Sequence, residues 1–175
     1  MFSFLKNRFT LKITKHFGNY GFSTLILFAL TQRLHAITSF LPNGMHFILA
    51  DIENCSFEQV VEEAEYVQQK YGLSNMYIYS DIERSYRVFC YSIVDFKTLL
   101  KILLDFKHLD MMFFSYTVRR KKATARINKK KDRPSPKLVA VLESYPLPFP
   151  KQVEEVFYDT GIVKKGISFS LGGED

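Results

Sequence analysis

Tryptophan is absent from the 175-residue chain, and cysteine occurs only at Cys55 and Cys90. Two cysteines and four scattered histidines (His16, His35, His46 and His108) have no metal-ligand spacing, which excludes a zinc module. The expectation is two reduced, partly buried thiols in a cytoplasmic protein. Long apolar runs are also missing. The longest, GFSTLILFAL at residues 21–30, falls well short of the roughly 20 residues that span a bilayer. Gln32, Arg33 and His35 break up the stretch directly after it. Lys6, Arg8, Lys12 and Lys15 precede the run as a signal peptide's charged region would, but no small-residue cleavage site comes after it. The run therefore reads as a buried helix or strand, with no membrane partner. Internal repeats and low-complexity tracts are lacking, and no His-hydrophobe-His pair suits a rolling-circle nicking enzyme.

Aromatic side chains, by contrast, are abundant, with 17 Phe and 10 Tyr. These favour strands and a packed core, and they supply stacking surface wherever one is exposed. Apolar residues at 47 % and charged residues at 24 % describe a globular chain. A formal charge of +6 suits a polyanionic partner.

Composition divides the chain into three zones. Residues 1–44 form an apolar and basic segment, expected to pack on the core, that ends at the turn Leu41-Pro42-Asn43-Gly44. Residues 45–131 carry the clear periodicities, and 132–175 are a Pro-rich extension with an acidic tail.

In the middle zone His46–Glu53 reads as a strand. Ser56 and Gln59 form a capping box for a helix with Phe57, Val60, Val61, Ala64 and Val67 on one stripe, stopped at Gly72. Met76–Tyr79 and Tyr86–Tyr91 read as strands around a turn at Asp81–Ser85. Asp95 caps a second helix with Phe96, Leu99, Leu100, Leu103 and Phe106 on its core face. Met111–Val118 reads as a fourth strand, with Arg119–Lys122 as a hairpin tip and Ala123–Asn128 returning. The expected class is α+β, a βαββαβ (RRM-like, split-βαβ) sheet with helices on one face and the opposite face free.

Four features could carry chemistry. Asp51 and Glu53 lie two apart on a strand, so both carboxylates point to one face and can share a divalent cation. A solvated strand end before a helix N-terminus is the competing explanation for the same acids. Asp110 opens the fourth expected strand and joins them only if strand order and register cooperate. Alternation along the third strand puts Arg87, Phe89 and Tyr91 on one face, a platform for base stacking and phosphate contact. Finally Arg119, Arg120, Lys121, Lys122, Arg126, Lys129, Lys130, Lys131 and Arg133 form a dense basic arm, opposed only by Asp132. Such an arm releases counterions from a phosphate backbone.

Together these features resemble the archaeo-eukaryotic primase superfamily of primase-polymerases, in the form of a small plasmid or virus replication protein. Phe47-Ile48-Leu49-Ala50-Asp51-Ile52-Glu53 is similar to the family's first motif. Ser80–Tyr91 stands where the second belongs, and Leu109-Asp110 with Ala125-Arg126-Ile127-Asn128-Lys129 is similar to the third. The resemblance implies Mg²⁺ or Mn²⁺ held by Asp51, Glu53 and Asp110, and nucleotidyl transfer from nucleoside triphosphates. The family's hairpin histidine has no counterpart in Ser80–Tyr91, so Arg87 or Arg84 would contact the triphosphate, with Arg126 and Lys129. The basic arm, with Lys130, would hold DNA or RNA template. Two other readings stand beside this one: a non-catalytic nucleic-acid-binding module, and a structural or oligomerisation protein that buries its aromatic sheet face.

Overall fold

The computed structural model describes residues 2–5, 8–17, 20–29, 31–129, 133–161 and 167–169, with side chains within 34–129 and 133–157. The strands that open the chain are β1 (Phe2–Leu5), β2 (Arg8–Phe17), β3 (Tyr20–Ala29), β4 (Thr31–Thr38) and β5 (His46–Glu53). Next come α1 (Phe57–Tyr71), β6 (Met76–Ile82), β7 (Ser85–Val94), α2 (Phe96–Leu104) and α3 (Met111–Arg120). The chain continues through β8 (Thr124–Arg126), β9 (Lys137–Leu142), β10 (Glu155–Gly161) and β11 (Ile167–Phe169). It is an α+β protein, as its patterning indicates.

The chain divides into two compact units, one of residues 1–33 with 158–175 and one of residues 34–157. The first contains an antiparallel sheet of order β11-β1-β2-β3. Its longest element is the β2–β3 hairpin, paired from Arg8↔Ala29 to Phe17↔Tyr20. Residues 21–29 of the apolar run thus lie in a strand, and no described helix is long and apolar enough to cross a membrane.

The second unit is built on the antiparallel sheet β5-β7-β6-β9. Local signals fix its helices. Ser56 and Gln59 form the capping box of α1, and Gly72 closes it with φ 58°, a left-handed conformation that glycine adopts without steric penalty. Asp95 caps α2 through Thr98. Both helices pack on one face of the sheet. There Ile48, Ala50, Ile52, Met76, Ile78, Val88 and Cys90 meet Val60, Ala64, Val67, Leu99, Ile102 and Leu103. Cys55 and Cys90 are buried free thiols.

Four expectations need correction. Met111–Val118 is not a strand but the helix α3, capped by Asp110 and closed by Lys121 at φ 56°. Phe113, Phe114 and Thr117 turn inward at helical spacing, and Arg119 and Arg120 fall in the last turn, where the helix dipole favours cations. All that remains of the fourth strand is the bridge Ile52↔Leu109, flanked by Glu53 N donating to His108 O and Asp110 N to Asp51 O.

Arg119–Lys122 is consequently a helix end rather than a hairpin tip. The segment after it pairs elsewhere, through Ala36↔Arg126, Ile37↔Ala125 and Thr38↔Thr124 with β4, in a small sheet of order β10-β4-β8.

The middle zone extends further than its periodicities indicate. β9, from the Pro-rich extension, adds to the main sheet beside β6, and residues 34–44 contribute buried Leu34, Ala36, Ile37 and Leu41. Finally, the face opposite the helices is not open. Ile37, Leu41, Ala123 and Ala125 cover Phe47, Leu49 and Phe89, and Tyr77, Tyr79, Tyr91 and Val153 pack at the margin.

Candidate functional site

Strand register builds the polar end of this second face. β5 and β7 set Asp51 opposite Arg87, and β6 sets Tyr79 opposite Arg87 from the other side. Asp81, two residues further along β6, has only 1 % of its side chain exposed. Its Oδ2 accepts from Arg87 Nη2 at 3.2 Å and also from Arg126 Nη2, delivered by β8. Arg87 Nε stands 4.0 Å from Asp51 Oδ1. Buried charges persist only when paired, and here two guanidinium groups converge on one carboxylate. The pairing is incomplete: Asp51 Oδ1, Asp81 Oδ1 and Arg87 Nη1 are buried without a hydrogen-bond partner.

The acids crowd one another. Burial pushes the Asp51 carboxyl up to about 6; Arg87 opposes this, while Glu53, Asp110 and Asp81 reinforce it. Asp110 lies beside Asp51 through the backbone bond of 2.8 Å, but its carboxylate caps α3 by accepting from Met112 N at 2.8 Å. Carboxylate oxygens suit Mg²⁺ or Mn²⁺. Even so, among the described residues no three His, Cys, Asp or Glu side chains are gathered as a metal cage. Asp51, Glu53 and Asp110 are electrostatic neighbours rather than a finished ligand set.

The aromatic part of the face lines an open-sided cavity of about 430 Å³, with Tyr79, Phe89, Tyr91 and Phe149 in its walls and Arg126 and Glu155 at its polar side. Tyr79 and Phe89 meet edge-on at 5.1 Å between centroids, as do Tyr91 and Phe149 at 5.3 Å. Burial holds the Tyr79 and Tyr91 phenols above their ordinary range, so both stay neutral. Apolar walls with a few convergent polar groups, at this volume, describe a small-ligand pocket.

The expected phosphate contacts are dispersed. Arg87 and Arg126 are buried on Asp81. Arg84 is an exposed turn residue at φ 62° whose Nη2 donates to Asn54 O at 3.3 Å. Lys122 pairs with Glu154 at 2.7 Å, between the cavity residues Val153 and Glu155. Arg119, Arg120 and Lys121 are exposed at the end of α3, the two arginines lying 5.2 and 5.1 Å from the Tyr116 ring. Lys129 is exposed as well, while Lys130 and Lys131 lie outside the described residues.

Several site residues escape a reading of the sequence. Asp81 reads as a turn acid, and Phe149 and Glu155 sit in the Pro-rich extension. Tyr79 carries a usable signal, because it comes after Tyr77 at strand spacing. Compared with known proteins, the chain matches no family model, no curated protein and no solved structure.

Proposed function

We propose that the 34–157 unit is a nucleic-acid-binding domain of a replication protein, taking an unstacked base into the aromatic cavity and phosphates onto the exposed basic groups at the end of α3. One observation carries the reading: the cavity between Tyr79, Phe89, Tyr91 and Phe149 with Arg126 in its wall. Aromatic rings accept any base by stacking, and each stacked base contributes about 1–3 kcal/mol. The sequence supplies the electrostatic partner in Arg119, Arg120 and Lys121, which lead through Lys122 into β8 and Arg126. Such a site prefers single strands, since a duplex keeps its bases stacked inside.

The test is binding of labelled single-stranded and duplex DNA and RNA by fluorescence anisotropy across a salt series. Single strands should bind more tightly than duplex, with affinity falling steeply as salt rises. Absent or salt-insensitive binding would remove the reading.

A second reading, Mg²⁺- or Mn²⁺-dependent nucleotidyl transfer by a primase-polymerase-like domain, is favoured by one observation. Asp51, Glu53, Asp110 and Asp81 crowd their negative charges strongly enough to help raise Asp51, a repulsion that a bound cation would relieve. Asp51→Ala should then abolish nucleotide incorporation and leave oligonucleotide binding intact. Incorporation that survives this change disposes of the second reading alone.

A further inference from the structure

The two edges of the main sheet are treated differently. At the β5 edge the backbone is engaged by the bridges Phe40↔His46 and Ile52↔Leu109 and by Phe47 N donating to Ser39 O. The β9 edge is the last strand of its sheet, with no strand beyond it among the described residues. It is also apolar. Leu138, Val139 and Val141 are 49, 45 and 40 % exposed, and no charge or proline interrupts Leu138–Leu142. Natural edges of this length are ordinarily protected by such residues, because bare amides and carbonyls recruit another strand.

We propose that β9 pairs with β9 of a second copy of this chain, antiparallel about a two-fold axis, joining two four-stranded sheets into one. The strand's own sequence favours that occupant. Val139 is bulged out of the ladder with β6, where Ile78 pairs with Ala140 and Tyr79 with Leu138. The remaining residues run Lys137, Leu138, Ala140, Val141, Leu142 and then Glu143. Turned end for end against itself, this string sets Lys137 opposite Glu143, Leu138 opposite Leu142 and Ala140 opposite Val141. Opposite charges meet at both ends and apolar side chains meet between them, and cross-strand pairs of these kinds stabilise a sheet. A two-fold axis makes each pair occur twice, which is the self-complementarity of an isologous interface. Pairing through β9 does not depend on the ligand of the aromatic cavity.

The experiment is sedimentation velocity on the full chain over a concentration series, with Lys137→Glu, Glu143→Lys and the double exchange. The wild type should be a dimer. Each single exchange sets like charges opposite each other twice and should weaken the dimer on the order of tenfold or more, while the double exchange should restore it. Lys137 opens the strand and Glu143 directly follows its last residue, both outside the buried core, so thermal unfolding of the variants should match the wild type. A monomeric wild type at tens of micromolar (roughly the range in which a specific dimer forms) overturns the proposal. So does a dimer indifferent to the single exchanges, or one that the double exchange fails to restore.

Discussion

The two faces of the sheet made by β5, β6 and β7 are written in alternate residues of the same three strands, yet they are different materials. Toward α1 and α2 the three strands present an apolar cluster: Ile48, Ala50 and Ile52, Met76 and Ile78, Val88 and Cys90. The opposite face begins with Phe47, Leu49, Tyr77 and Tyr91 and passes through Tyr79 and Phe89 to Asp51, Asp81 and Arg87. One face secures the fold. The other retains unpartnered buried polar atoms and a cavity, and these are costly in stability unless something uses them.

That contrast can be broken from either side. The largest effect should come from Asp81→Ala, which strands the Arg87 and Arg126 guanidinium groups without their shared carboxylate. Truncating one partner of a buried ion pair costs about 3–5 kcal/mol, and chemical denaturation should show a loss of that order. Next is Ile78→Ala on the helix face, which opens a hole in close-packed surroundings and should cost about 3 kcal/mol. Thermal melting checks it, and oligonucleotide affinity of the folded fraction should not change.

Asp51→Asn sharpens the comparison through pH. The folded-state carboxyl titrates at about 6 instead of 3.8, so the protonated form is the one the fold favours. Its contribution is fully present below the ordinary carboxylate value and is lost as pH rises through about 6. The difference in stability between wild type and Asp51→Asn should therefore grow between pH 4 and pH 7 (roughly the interval spanning the two values), with the variant the more stable at neutral pH. A difference that stays flat across that interval would show that Asp51 is not held in this environment.

Legibility in the sequence tracks the range of the interactions involved. The caps at Ser56, Gly72 and Asp95 act within a few residues, and they fix α1 and α2 where the pattern puts them. The alternation of Arg87, Phe89 and Tyr91 against Tyr86, Val88 and Cys90 is equally local, and it holds. Met111–Val118 misleads because Met and Phe serve either conformation. The cap at Asp110 and the basic last turn are the decisive local cues. Pairings of β8 with β4 and of β9 with β6 join distant segments, and nothing in those short strands names the partner. The same holds for Asp81, whose importance comes from meeting a guanidinium 45 residues away.

The smallest expected effect on stability is also the most direct test of the central claim, that the aromatic cavity of the second face takes a base. Phe149 is 48 % exposed at the cavity wall, so Phe149→Ala should leave the melting temperature nearly unchanged. Loss of one stacking ring should weaken single-stranded oligonucleotide binding by about 1–3 kcal/mol, read as a roughly fivefold to hundredfold rise in Kd by anisotropy at fixed salt. A folded variant that binds as tightly as the wild type would contradict the account.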